Sequence, residues 1–241
     1  MQPRLTARVE INYQRITLRG FQEALRVVAL SDLHTPTLPV SVGELIGLLR
    51  SANPDVLVLA GDIICKNLPQ ELKEGLLSVR ARAGFAVLGN LEYDCGRSKQ
   101  AVKEQYRAVG IQLLVNEAAE LDGLVFAGLD DYLHGAPDFR IAENGRPGSK
   151  ATVWISHCPA AFDFVSSDRR RPSVMISGHT HGGQIALFGK ALFTPNGSAS
   201  YTRGWYVRNQ DMLYVMKGIG SSHRFPIRLG VKPEILVLDI N

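Results

Sequence analysis

Seven residues in this chain carry oxygen or imidazole lone pairs and follow closely on short apolar runs: Asp32 with His34, Asp62, Asn90, His157, and His179 with His181. Singly, each is ordinary. An isolated Gly-Asp is usually a turn, and a lone histidine after a strand is more often a hydrogen-bonded packing residue than a ligand. Together they make a donor set. Two carboxylates, one carboxamide and four imidazoles are too many for one tetrahedral ion and suit a pair of ions. Mixed ligands of this kind suit Mn, Fe, Zn or Co better than an all-oxygen Mg or Ca cage, and Mn is the ion expected. Two divalent cations bring a charge of about +4 and the two carboxylates remove about two units, so the site is left near +2 and attracts a phosphoryl dianion.

Such a set works only if the fold brings it together. The runs Val27 to Leu30, Val56 to Leu59, Phe85 to Leu88, Val153 to Ile155 and Val174 to Ile176 are unalternated and β-rich, the pattern of strands buried on both faces. Helical spacing over Val42 to Leu49 and Glu71 to Ala81 links the first three into βαβαβ, hence a parallel sheet. Ligands bind in the crevice beyond the carboxyl ends of such strands, so residues leaving several strand ends converge there. Glycines precede Asp62, Asn90 and His179, where a Cβ would obstruct a sharp turn. Later strands over Leu124 to Leu129, Leu213 to Val215 and Ile235 to Ile240 have few helices among them, which predicts a second, more antiparallel sheet. Glu143 to Lys150 is a loop. With no repeat, linker or composition break, residues 1–241 read as a single α/β domain of two packed sheets flanked by helices.

The ordered set Ser-Asp-Leu-His, Gly-Asp, Gly-Asn, Ser-His-Cys-Pro and Gly-His-Thr-His resembles the five motifs of the calcineurin-like metallophosphoesterases. Further segments, Leu114 to Glu117, Gly128 to Asp131, Gly182 to Gln184 and Pro226 to Arg228, are similar to its bacterial YkuE-like branch. The resemblance implies a four-layer αββα sandwich of two mixed sheets, with a dinuclear metal site at the strand C-terminal ends. Asp32, His34 and His181 would hold one metal and Asn90, His157 and His179 the other, with Asp62 bridging. Asp62, Asn90 and His157 would be the catalytic core. The activity implied is hydrolysis of a phosphate ester or phosphoanhydride.

One position departs from that family. A histidine usually follows the Gly-Asn pair, placed to protonate the leaving oxygen, and here Leu91 stands there. An alkoxide leaving group needs that proton; a phosphate leaving group departs with little help. Leu91 therefore favours an anhydride, and superfamily members that split the pyrophosphate of UDP-2,3-diacylglucosamine also lack a histidine there. His134 and His223 are the candidates for a substitute acid, although an exposed loop histidine is the simpler account of each. Arg203, following a Pro-Asn-Gly turn, is a candidate phosphate clamp. Apolar Ile185 to Phe193 could rim the site for acyl chains of a lipid-linked substrate, or form a β-hairpin of the second sheet. Asp168 to Pro172, with three arginines, reads as a solvated loop before it reads as a grip on an anionic lipid surface or a nucleotide. The rival function is a pseudoenzyme scaffold that binds proteins; against it, a decayed site has no physical reason to keep carboxylates and imidazoles clustered.

Composition narrows the rest. The 241 residues carry 27 basic and 23 acidic side chains, a net charge of +4 taken as spread along the chain. Aromatics are only 7%, so no nucleic-acid partner is expected. No apolar run reaches the roughly 18 residues of a membrane span. Three cysteines, an odd number without CxxC spacing, predict free buried thiols and a reducing compartment. The location expected is cytoplasmic, at most peripheral on the membrane face.

Overall fold

A computed structural model describes residues 8–140, 150–165, 173–188, 190–222 and 226–241. The loop expected over Glu143 to Lys150 falls almost wholly outside them, as does Asp168 to Pro172.

In chain order the first half contains β1 (Glu10–Ile16), β2 (Leu25–Leu30), α1 (Val42–Ala52), β3 (Val56–Ala60), α2 (Gln70–Ser78), β4 (Ala83–Val87), α3 (Asn90–Asp94), α4 (Lys99–Arg107) and β5 (Gln112–Leu113). The second half adds β6 (Glu117–Leu121), β7 (Leu124–Gly128), β8 (Thr152–Ile155), α5 (Phe162–Val165), β9 (Ser173–Ser177), β10 (Ala186–Leu187), β11 (Lys190–Ala191), β12 (Gly204–Arg208), β13 (Asp211–Val215) and β14 (Glu234–Ile240). One six-stranded sheet runs β1-β14-β2-β3-β4-β5 and the other β12-β13-β9-β8-β7-β6.

Strand alternation assigns each sheet two apolar faces. Val56, Val58 and Ala60 of β3 point to a core shared with Phe126, Val153, Ile155, Val174 and Ile176 of the second sheet. Leu57 and Leu59 point the other way, onto Leu45, Ile46, Leu49, Leu72, Leu76, Val102 and Tyr106 of three helices. On the far side, Trp154, Met175 and Leu213 pack against Phe162 and Val165. The order of layers is helix, sheet, sheet, helix, and both sheets are mixed. Helix α1 illustrates the local logic: the Ser41 side chain accepts the Glu44 N–H at 3.1 Å, Leu45, Ile46, Leu49 and Ala52 share the buried face, and Asn53 ends the helix in the left-handed region.

One expectation holds and one is corrected. The second sheet is the more antiparallel, with pairs β12–β13 and β6–β7 against the first sheet's β14–β2, although it is parallel through its centre, β7 to β8 to β9 to β13. Among the described residues the α-helical content of its parallel crossovers is the four-residue α5, too short to show a period in sequence. Strand β14 joins the first sheet instead, antiparallel to β2 and parallel to β1. Residues 186–191 do form a hairpin, β10–β11, but a separate two-stranded one.

Candidate metal centre

The chain leaves β2 at Asp32 and His34, β3 at Asp62, and β4 at Asn90; it leaves β8 at His157 and β9 at His179 and His181. The two sheets thus deliver the seven side chains to one crevice. Asp32, His34, Asp62, His157, His179 and His181 are all buried, and Asn90 is half-buried. Five of the seven, Asp32, His34, Asp62, His179 and His181, hold a positive φ, between 39° and 71°. That conformation costs a side-chain-bearing residue energy, and its concentration here marks a site where geometry outranks local preference.

Asp32, His34 and His181 place one ligand atom each within 4.8 Å of one another, and so do Asp32, Asp62 and His157. Asp62 divides its carboxylate: Oδ2 lies 3.4 Å from His34 Nε2 and Oδ1 3.3 Å from His157 Nε2. His181 Nε2 is 3.2 Å from His34 Nε2 and 3.5 Å from Asp32 Oδ1. On the other side His157 Nε2 meets Asn90 Oδ1 and His179 Nδ1, each at 3.2 Å.

The backs of the rings explain why their fronts are lone pairs. His157 Nδ1 donates to the Ala60 carbonyl at 2.9 Å, His179 Nε2 to Asn196 at 2.6 Å, and His181 Nδ1 faces Gly220 O at 3.2 Å. A ring that donates from one nitrogen presents the other as an acceptor, the arrangement of a ligating histidine. Burial holds His181 down at about 3 and also lowers His179, the latter helped by His157, so both stay neutral. His157 is buried too, but Asp62 and Asp32 outweigh that and push it well above the ordinary histidine range. Burial pushes Asp62 up, and the His157 and His34 imidazoles overcome it to leave the carboxyl far below its usual range. His179 and His181 therefore offer free lone pairs, while the proton that Asp62 and Asp32 hold on His157 is one that a divalent cation at that nitrogen would displace.

Gly61 holds a positive φ of 83°, whereas Gly89 and Gly178 act by leaving room. A Cβ on Gly178 would meet Asp32 Oδ2 at 2.5 Å, and one on Gly89, whose φ is an ordinary −114°, would strike Asp62 Oδ1.

Sequence reasoning passed over Glu92. Its buried carboxylate accepts the N–H groups of Asp62 (3.2 Å), Ile63 (2.9 Å), Ile64 (3.1 Å) and Gly89 (2.9 Å). It therefore ties the exits of β3 and β4 together. Its position in the first turn of a helix, three residues after Gly89, was the available signal. Burial and the nearby Asp62 carboxylate push its pKa up to about 7. Arg228 was a second omission from the site: Nη2 lies 3.1 Å from His181 Nδ1, and burial lowers the guanidinium to about 10.

The remaining candidates scatter. Arg203 Nη1 donates to the Gly182 carbonyl at 3.0 Å, beside the His181 turn. His134 sits on a loop whose Leu133 and His134 N–H groups are held by buried Asp131. Its ring stacks on Tyr93 with centroids 6.4 Å apart, and Nε2 is 3.6 Å from Asp94 Oδ1. His223 lies outside the described residues.

The cysteine reading is overturned. Cys65 and Cys95 form a disulfide, with Cα atoms 5.4 Å apart, and Cys158 alone is free and buried. Cys65 lies three residues after Asp62 and Cys95 five after Asn90, so the convergence that builds the site also pairs them. Cysteine number and spacing do not record that convergence, and they no longer support a reducing compartment.

Fold and crevice define an αββα hydrolase scaffold with metal-type donors at the strand ends. The chain belongs to the calcineurin-like phosphoesterases, whose family model matches residues 25–183, and it is a metal-dependent phosphoester hydrolase. It is 29% identical over 235 residues to the uncharacterized metallophosphoesterase YkuE of Bacillus subtilis, covering 92% of this chain and 80% of that one. A transmembrane protein with metallophosphoesterase domain from Danio rerio is 28% identical over 256 residues, covering 97% of this chain. This chain spans only 56% of that fish protein. The UDP-2,3-diacylglucosamine pyrophosphatase LpxG of Chlamydia trachomatis is 26% identical over 301 residues, covering 99% of this chain and 90% of that one. Among the described residues no helix is long and apolar enough to cross a membrane.

Proposed function

We propose that this chain hydrolyses a phosphoanhydride with two divalent cations, manganese for preference, one held by Asp32, His34 and His181, the other by Asn90, His157 and His179, with Asp62 shared. The observation that carries this reading is the divided Asp62 carboxylate, one oxygen toward His34 and the other toward His157. When bound, the ions supply Lewis acidity to the transferring phosphoryl group and a nucleophilic water.

The chain's own residues set the rest. Ala60, Asn196 and Gly220 carbonyls fix the ring faces of His157, His179 and His181, so no reorganisation is needed at the moment of reaction. Asn90 caps the Asp62 side from the first residue of α3. Leu91 is buried at the position where the family places its proton donor, and it offers no proton. A leaving group that needs none is favoured, which is the chemistry of a pyrophosphate and agrees with the activity named for the chlamydial relative. Where a proton is required, His134 Nε2 is the donor we assign: its loop rests on α3 through Tyr93 and Asp94 and reaches the 195–197 turn through Leu133 and Gly197. Those two walls carry Asn90 and the carbonyl behind His179. Arg203, bonded to the Gly182 carbonyl beside His181, contributes positive charge there.

The test is metal analysis of the purified protein combined with rates on aryl phosphates, alkyl phosphates and nucleotide-sugar pyrophosphates. Two ions per chain, and pyrophosphate cleavage far faster than alkyl phosphate cleavage, are expected. Asp62→Ala should lose both ions' worth of activity, down to background, with an unchanged circular dichroism spectrum. A single ion per chain, or full turnover by Asp62→Ala, overturns the assignment.

A further inference from the structure

The charges of this chain are not evenly spread. Residues 169–233 contain ten Lys and Arg against one acid, Asp211, and that one is buried. Nearly all the acidic side chains lie elsewhere. The same segment projects the largest group of exposed apolar side chains among the described residues: Leu187, Phe188, Leu192 and Phe193 on and around the β10–β11 hairpin, with Ile227 and Leu229 beside them. Phe188, at the turn, is fully exposed. The two pieces are one surface, since Ala186 N–H donates to Leu229 O at 2.8 Å and Leu229 N–H to Gln184 O at 2.9 Å.

An exposed apolar patch of this size on a folded chain marks a contact surface. The charge around it selects the occupant. Lys190 on the hairpin and Arg203 across from it line an open cleft of about 680 Å³ with Leu192, Phe193, Thr202 and Tyr206. Apolar side chains at a tip with cations behind them match a bilayer whose headgroups are anionic, acyl chains meeting the tip and phosphates meeting Lys190 and Arg203. Aliphatic Leu187, Leu192, Ile227 and Leu229 have no use for a nucleic acid, whose bases want flat rings.

We propose that the β10–β11 hairpin and the 227–229 segment form a docking surface for an anionic phospholipid bilayer. The surface adjoins the metal centre through the chain itself: His181 to Gly183 run directly into the hairpin, and Arg228, between Ile227 and Leu229, contacts His181. Docking therefore presents the crevice to headgroups at the membrane, whichever phosphate bond it cleaves.

Sedimentation of the protein with vesicles of phosphatidylcholine, with and without phosphatidylglycerol, tests this. Binding is expected only with phosphatidylglycerol, falling as salt rises. Lys190→Glu should weaken it roughly fivefold or more, from about 1 kcal/mol per interfacial cation. Phe188→Ser should weaken it as well, and both variants should hydrolyse a water-soluble aryl phosphate like the wild type, because neither residue touches the metal centre. That activity separates this proposal from the catalytic one: loss of vesicle binding with retained hydrolysis isolates the patch. Absent vesicle binding, equal binding to both lipid mixtures, or binding untouched by Phe188→Ser overturns it. So does a dimer by light scattering, or capture of a single-stranded oligonucleotide, that Phe188→Ser abolishes while vesicles go unbound.

Discussion

The two sheets make unlike contributions to one crevice. From the first come both carboxylates, Asp32 and Asp62, and the carboxamide of Asn90; from the second come His157, His179 and His181, three of the four imidazoles. The carboxylates and most of the imidazoles sit on opposite sides of the sheet interface, and His34 alone crosses the division. The site accordingly exists only while the two sheets hold their mutual position. Cations held between them would staple the fold as well as the substrate, because a species that binds the native state alone stabilises it by mass action.

The largest way to break that comparison is to loosen the interface without touching a donor. Phe85 of the first sheet and Phe126 of the second stack with centroids 4.8 Å apart, and Phe126 is fully buried. Phe126→Ala should cost about 3–5 kcal/mol of stability, from lost burial and the cavity left behind. Metal affinity should fall with it, since the donors of the two sheets are no longer held in register. Isothermal calorimetry and thermal melts with and without Mn²⁺ check this. Equal loss of apo and metal-loaded stability, with metal affinity unchanged, would show that each sheet binds metal on its own.

A smaller change sharpens the chemical side of the comparison. Leu91→His restores an imidazole at the exit of the first sheet, in a site whose other imidazoles come mostly from the second. Alkyl phosphate hydrolysis should rise by about 10²-fold, the lower range for a positioned general acid, with little change for pyrophosphates. If wild type already cleaves alkyl and aryl phosphates at similar chemistry-limited rates, His134 is supplying the proton, and His134→Ala should then abolish the alkyl activity selectively.

Legibility in the sequence followed the same division. The first sheet was readable because β2, β3 and β4 carry apolar runs separated by helices with clear spacing, and their exits carry Asp32, Asp62 and Asn90. The donors of the second sheet were readable as motifs, yet its parallel centre was not, because the described residues joining β7, β8 and β9 hold no helix longer than the four residues of α5. Placement of β14 between β1 and β2 depends on long-range pairings, Glu10 to Glu234 and onward among them, that no local pattern encodes. The disulfide and Glu92 escaped for one reason. Both depend on two strand exits meeting in space, and Cys65 with Cys95, or Glu92 with the Asp62 N–H, become neighbours only after they do.

The smallest effect concerns the carboxylate that ties those exits. Glu92 has a folded pKa raised to about 7, first by burial and then by the Asp62 carboxylate, against about 4.3 for an unfolded glutamate. Between those values the folded state binds the extra proton, so Glu92 makes the apo protein lose stability as pH rises from about 4.3 to 7. Below that window its contribution is level, and above it the full penalty remains. Other groups slope across the same range, His181 and His179 in the opposite sense because burial keeps them neutral, so the test is a difference. The wild-type minus Glu92→Gln difference in chemical denaturation free energy should fall across pH 5 to 7 in metal-free buffer. Saturating Mn²⁺ should flatten it, because cations at Asp62 offset the negative charge that Glu92 faces. A difference that is level with pH in apo protein would mean that the four N–H donors already keep Glu92 ionised, and that the first sheet carries its negative charge without metal.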